Sequence, residues 1–322
     1  MKSLWRIAAL VVAVLAPMSA CLTPDDEGGG GGGGGPITFS KGFTFVRGDD
    51  IYVVDQSDYT RVSQLTTTGN NKQPALSADG RSVVFVHVDA VAGNSIQTVT
   101  TSGSGNPRTV YTADAVQKNF RTPVFSPDGT KIVFAYDKGA GSNSYLGVVN
   151  ADGSSFHELT SGTLSYAAPY FYKDGTAVLA IAGSSTSYTQ LQKVNVTTGS
   201  SSTVASSLDP AVTSITNRAV LSPDETLVAF DGRLASNTSV SRIFVMEVST
   251  GNTHQLTNYP GDQTAQDGFP TWVSATDVGF TSNTGGADQV YVLPASSVES
   301  SGGLKLPTAT QPWFGGSAGP TS

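Results

Sequence analysis

The segment TPVFSPDGTKIVFAYD, from Thr122 to Asp137, returns along the chain in recognisable copies: QPALSADGRSVVFVHVD from Gln73, APYFYKDGTAVLAIAG from Ala168, RAVLSPDETLVAFDG from Arg218 and FPTWVSATDVGFTSN from Phe269. Pro74, Pro123, Pro169, Ala219 and Pro270 hold the same place in these copies, and they stand 49, 46, 50 and 51 residues apart. A repeat of this period is one supersecondary unit that cannot bury its apolar face alone, so the units must stack. Several copies continue with an Ile-Tyr-like run and then a Leu-Thr-like run: Ile51 to Asp55 then Arg61 to Thr66, Tyr145 to Asn150 then His157 to Thr160, and Ile243 to Val248 then His254 to Thr257. Four short strands per unit is the pattern of a propeller blade, and the expected fold is all-β.

The turn chemistry explains why the motif looks as it does. In Ser126-Pro127-Asp128-Gly129 the proline presets φ, the aspartate bonds nearby backbone, and the glycine takes the positive φ that other residues resist. This predicts a hairpin between the first and second strands of each unit. Beyond it, Phe45, Phe85, Phe134, Phe230 and Phe280 share one register with Ile132 alternating behind, which reads as core between neighbouring blades rather than a cofactor box.

The first unit begins at its second strand, near Gly42, and the missing piece is expected at the other end. Gln311-Pro312-Trp313-Phe314-Gly315-Gly316 matches the start of the other copies. The sequence therefore predicts a six-bladed β-propeller over 37–316, whose N- and C-terminal strands share one blade, with a tail at 317–322. That arrangement removes an open sheet edge.

These copies resemble the TolB-like propeller repeat, whose hallmark is the Ser-Pro-Asp-Gly turn followed by an apolar strand. The resemblance covers residues 37–316 and implies that Ser126, Pro127, Asp128, Gly129 and their counterparts determine the fold, not a reaction. TolB itself carries an additional N-terminal α/β domain and a soluble periplasmic form. This chain has other residues in that place, which argues against a literal Tol role.

Those residues read as an export signal and an anchor. Lys2 and Arg6 form a positive n-region, Ile7 to Leu15 an apolar stretch too short to span a bilayer, and Met18-Ser19-Ala20-Cys21 resembles the lipobox of bacterial lipoproteins. The expectation is a signal peptide at 1–20, cleaved before Cys21, with that thiol acylated. Residues 21–36, including the glycines from Gly28 to Gly35, form a flexible tether. Leu22 after the cysteine resembles outer-membrane sorting, so the expected place is the outer membrane of the cell envelope.

Charge narrows the partners. The chain holds 18 Lys and Arg against 25 Asp and Glu, a formal net charge of −7, and loss of Lys2 and Arg6 makes the exported part more acidic still. This disfavours nucleic acid. Gly315-Gly316-Ser317-Ala318-Gly319 satisfies a nucleophile-elbow pattern, but no acid or histidine follows it and no hydrolase domain accompanies it. His157 and His254 share a register in outermost strands, and His87 sits alone near the loop face with Asp89. Neither arrangement builds a metal site, no acidic loop carries alternating calcium ligands, and the sequence calls for no cofactor.

What remains is the face made by loops joining second to third strands and fourth strands to the next blade. Just after the shared aromatic lie Arg47, His87, Tyr136, Ala182, Gly232 and Ser282; before the inner strands lie Lys72, Arg121, Tyr166, Arg218 and Asp267. Arg47, Lys72, His87, Arg121, Tyr136, Tyr166, Arg218 and Asp267 are the candidate partner-binding residues. Cations and aromatics without a paired acid and base suit contact better than catalysis. The expectation is a non-enzymatic envelope lipoprotein whose propeller binds protein partners, with a polysaccharide-binding or polysaccharide-cleaving propeller as the alternative.

Overall fold

Short alternating runs between turn residues form strands throughout the computed structural model, which describes residues 42–299 except 56–57, 104–105, 140, 207, 261–263 and 285–288. Expectations about the signal peptide, Cys21, the tether, Gln311 to Gly316 and the tail lie outside the described residues. Within them the elements are β-strands, every pairing is antiparallel, and no helix occurs.

β1 (Gly42–Arg47), β2 (Asp50–Asp55) and β3 (Asp58–Gln64) form a first meander. β4 (Asn71–Leu76), β5 (Ser82–Asp89), β6 (Gly93–Thr100) and β7 (Arg108–Thr112) form a second, and β8 (Lys118–Phe125), β9 (Lys131–Asp137), β10 (Ser144–Asn150) and β11 (His157–Glu158) a third. A fourth comprises β12 (Ser165–Phe171), β13 (Ala177–Ser184), β14 (Ser187–Asn195) and β15 (Ser201–Ala205). A fifth comprises β16 (Val212–Leu221), β17 (Leu227–Leu234), β18 (Ser241–Glu247) and β19 (Thr253–Gln255), and one bridge from Tyr188 to Ile215 joins it to the fourth as a single sheet. β20 (Asp267–Trp272), β21 (Asp277–Ser282) and β22 (Gln289–Pro294) make the last.

The hairpins follow from the motif. Ser126 Oγ donates to Asp128 Oδ1 at 2.5 Å and accepts the Lys131 N–H at 2.9 Å, so one hydroxyl closes the turn from both sides. Ser77 with Asp79 and Ser222 with Asp224 repeat this at 2.6 Å. Gly80, Gly129 and Gly175 take the left-handed position, and Glu225 takes it where the fifth copy lacks the glycine.

The prolines mark a second recurrent device. Gln73, Thr122, Ala168 and Phe269, each directly before a proline, have φ near +50°. At these points the pairing of the inner strand slips, between Lys72 and Ala75, Arg121 and Val124, Ala167 and Tyr170, and Gly268 and Thr271. A bulge re-aims the side chains beyond it, and proline costs no ladder bond where the ladder is already interrupted. The freed Thr122 N–H finds Gln73 Oε1 of the preceding sheet at 2.9 Å.

Side chains of successive sheets interlock. One apolar cluster joins Ile51 and Val53 to Leu76 and Phe85; others join the second sheet to the third, the third to the fourth, the fourth to the fifth and the fifth to the last. A further cluster sets Phe43, Phe45 and Val54 of the first sheet against Val290 of the last. Phe85, Phe134, Phe230 and Phe280 are buried in these contacts, as their shared register predicts.

Candidate functional site

The inner strands converge on a cavity of about 590 Å³ at their loop-side ends. Its wall is made of corresponding stretches: Lys72 to Ala75 of β4, Arg121 to Val124 of β8, Ala167 to Tyr170 of β12 and Thr216 to Val220 of β16, with Val46, Asp49, Ile181, Tyr188, Phe269 and Thr281 between them. On the hairpin side lies a cavity of about 240 Å³ rimmed by Leu76, Phe125, Phe171 and Leu221. Val124 and Tyr170 wall both, and burial pushes the Tyr170 phenol up to about 12.

Three cations, Lys72, Arg121 and Arg218, face the loop-side cavity against one lining carboxylate, Asp49. Arg121 is braced by Asp137 Oδ2 at 3.3 Å and Ser144 Oγ at 2.7 Å. The Arg218 guanidinium lies 5.8 Å from the centre of the Phe269 ring, and burial lowers its pKa to about 10, so it stays charged at neutral pH. Lys72 is exposed and makes no ion pair among the described residues.

Arg218 stands in the one copy without the proline. There Asp231 of β17 takes over the backbone: Oδ1 accepts the Arg218 N–H at 2.9 Å and the Asn217 N–H at 3.2 Å, while Oδ2 accepts from the Asn217 amide. Burial raises its pKa, opposed by these bonds. With both oxygens occupied, Asp231 is a scaffold for the strand and not a free base. Gly268 passes so close that a Cβ there would lie 2.9 Å from Asn217 Nδ2. Sequence reasoning missed Asp231, although a signal existed: it is the lone acid at a position held elsewhere by Val46, Val86, Ala135, Ile181 and Thr281.

Of the eight residues expected on a partner-binding face, Lys72, Arg121 and Arg218 meet at the cavity. Arg47 is half-buried, its guanidinium 5.3 and 5.2 Å from the rings of Phe45 and Tyr52. His87 is half-buried and pairs through Nδ1 with Asn71 Oδ1 at 2.9 Å. Tyr136, Tyr166 and Asp267 are corrections, because all three are buried. The reason is strand alternation. Tyr136 lies two residues after Phe134 and so shares its packing face, where its hydroxyl donates to Glu158. Tyr166 and Asp267 precede their prolines by one residue more than Lys72 and Arg121, which puts them just outside the bulged stretch that lines the cavity.

Asp267 instead belongs to a buried polar cluster between the last two sheets. Its Oδ2 accepts from Thr257 Oγ1 at 2.6 Å, burial pushes its pKa up to about 6, and Arg242 lies nearby over the Tyr259 ring at 4.9 Å. His157 is exposed on β11, and His254 on β19 pairs through Nε2 with the Ala295 carbonyl at 2.8 Å. Among the described residues no three His, Cys, Asp or Glu side chains gather as a metal site.

Meanders packed face to face about an axial cavity define a β-propeller, and solved structures of similar fold agree. TolB from Acinetobacter baumannii superposes with a TM-score of 0.60 at 16% identity, over 81% of this chain and 62% of that one. A TolB-assigned protein from Agrobacterium tumefaciens gives 0.61 at 15% identity, over 86% and 91%. A chain of a nidogen/laminin complex gives 0.60 at 10%, over 80% and 90%. The fold is thus a TolB-like β-propeller, and this chain spans less than two thirds of the Acinetobacter protein. No protein-family model and no curated protein matches the sequence.

Proposed function

We propose that this protein is a non-enzymatic envelope lipoprotein, held by acylated Cys21 on its glycine tether, whose propeller is a scaffold for protein partners. In this reading the ring has six blades, and Gln311 to Gly316 supplies the inner strand that the first sheet lacks among the described residues. The packing of Phe43 and Phe45 against Val290 supports that count, since it brings the first and last sheets together.

The observation that carries the scaffold reading is the loop-side end of the axis. Rigid sheets hold cations and aromatic rings around an open cavity there, the arrangement by which variable loops on a fixed frame engage partners. The likeness to TolB supports an envelope setting.

A photo-crosslinking residue at Val91, an exposed tip of the β5–β6 loop, tests this in intact cells. It should capture envelope proteins that the same probe at Pro223, on the hairpin side, does not. Identical capture at both positions, or capture of polysaccharide alone, would overturn the scaffold reading. Separately, Cys21→Ser should move the protein from the detergent to the aqueous phase of Triton X-114. Unchanged partitioning would remove the anchor.

A further inference from the structure

The charge of the axial cavity runs against that of the chain. The protein as a whole is acidic, with a formal net charge of −7, yet the loop-side cavity presents Lys72, Arg121 and Arg218 against Asp49 alone. Each cation comes from a different sheet, so the ring architecture, not a local basic run, brings them together. A cavity of about 590 Å³ is of the size that takes small ligands.

Three further features give the cavity a chemistry. Its walls mix apolar surface from Tyr188, Phe269 and the inner-strand prolines with neutral polar groups of Gln73, Thr122, Thr216 and Asn217. Val124 and Tyr170 are walls that it shares with the hairpin-side cavity. And the cations are graded. Arg121 is committed to Asp137 and Ser144, Arg218 is set against Phe269 on a strand that Asp231 fixes through two backbone N–H groups, and Lys72 reaches the mouth with no ion pair among the described residues.

We propose that this cavity is a receptor for a small oxyanion, whose carboxylate or phosphate oxygens are taken by Lys72 and Arg218 within walls formed by Phe269, Tyr188 and the prolines. Guanidinium and ammonium groups in a site partly shielded from water attract oxyanions more strongly than on an open surface. Asp231 is then a positioning residue: it does not touch the ligand but holds the backbone that aims Arg218. This proposal uses the same cavity as the protein-scaffold reading but does not depend on it, because a small ligand can occupy the cavity whether or not a protein covers its mouth.

Titration calorimetry on the full-length protein in detergent tests the site with citrate, inorganic phosphate and neutral maltotriose. Citrate or phosphate should bind at one site, more weakly as sodium chloride is raised. Lys72→Gln, a change at an exposed position, should weaken that binding roughly tenfold, whereas Arg81→Gln, on the hairpin side, should leave it unchanged. Whichever anion binds more tightly identifies the oxyanion. Absence of binding by both anions, maltotriose binding as tightly as either, or Lys72→Gln binding like the native protein would each overturn the proposal. Photo-capture at Val91 does not depend on any of these outcomes, so the two readings fail separately.

Discussion

Thr257 donates its hydroxyl to Asp267 at 2.6 Å while its oxygen accepts the Ile243 N–H at 3.0 Å, so one side chain ties β18 to the first residue of the next sheet. Thr66 does the same between the first two sheets, accepting the Ile51 N–H at 2.9 Å and a bond from the Asn71 amide at 3.0 Å. Thr160 accepts the Leu146 N–H at 2.9 Å. The Leu-Thr run of the repeat is thus a clamp. Thr257→Val keeps the shape but strands a buried N–H and takes one donor from a buried carboxyl group, and should cost about 1–3 kcal/mol, read as a lower urea midpoint at unchanged slope. Thr257→Ser should recover most of it. Equal midpoints for Val and native would show that the clamp contributes nothing.

Asp267 makes stability depend on pH with an unusual sign. Burial raises its folded pKa to about 6 against the ordinary 3.8, so the folded state holds the proton more tightly. Stability is therefore highest below the unfolded value and declines as pH rises towards about 6, by about 1 kcal/mol between pH 5 and 7. The turn carboxylates act oppositely. Hydrogen bonds from Ser126 and Ser222 hold Asp128 and Asp224 below 3.8, so their contribution is present above that value and lost only as pH falls through the depressed one. The protein should melt higher at pH 5 than at pH 7, and Asp267→Asn should remove most of the difference. A native melting curve that is flat over this range would contradict the assignment.

Asp231→Ala removes the acceptor of three donors at once, the N–H groups of Asn217 and Arg218 and the Asn217 amide. Leaving buried donors unpaired costs about 1–3 kcal/mol each before relaxation, so a loss of about 3 kcal/mol or more is expected. In the four proline-bearing copies no such carboxylate exists, and Ala135→Ser at the matching place should cost less. Thermal unfolding of the two variants side by side decides this.

Two glycines with the same φ should respond differently to alanine. Gly129 and Gly199 have φ of +71° and +69°, but a Cβ at Gly129 meets nothing within 4 Å, whereas one at Gly199 would lie 2.1 Å from the Leu159 carbonyl oxygen of the preceding sheet. Gly129→Ala should cost about 1–2 kcal/mol from backbone strain alone. Gly199→Ala should cost clearly more, because the turn must lift off its neighbour. Similar denaturation midpoints would mean that the contact yields freely.

Ring closure is tested by truncation. If Gln311 to Gly316 is the inner strand of the first blade, deleting 309–322 removes Trp313 and Phe314 from a core, and aromatic truncations of that kind cost roughly 3–5 kcal/mol each. The shortened protein should aggregate or melt far below one that stops at Gly316. Equal melting of the two would open the ring and change the blade count.

Much of the fold is legible in the residues themselves. The hairpin at Ser126 to Gly129, the shared phenylalanine register and the outer-strand places of His157 and His254 all depend on bonds a few residues apart or on a simple alternation, and local chemistry sets them. The sheets to which Val290 and Phe43 belong can also be read from the repeat.

The site is different. Which of two adjacent residues faces the axis depends on a bulge at Gln73, Thr122, Ala168 or Phe269, and on how far before it a side chain stands. The bulge turns the two residues before the proline to the cavity and leaves the third inside the sheet packing, which is why Lys72 and Arg121 reach the cavity while Tyr166 and Asp267 are buried. Asp231 carries no local signature at all beyond its charge. Its meaning appears only when β17 is laid against β16 and the missing proline of the fifth copy is seen to be replaced by a carboxylate. The repeat determines the units because its bonds are local. Only the packing of those units against one another decides which cations meet, because residues 72, 121 and 218 line one cavity through contacts that no short stretch of chain contains.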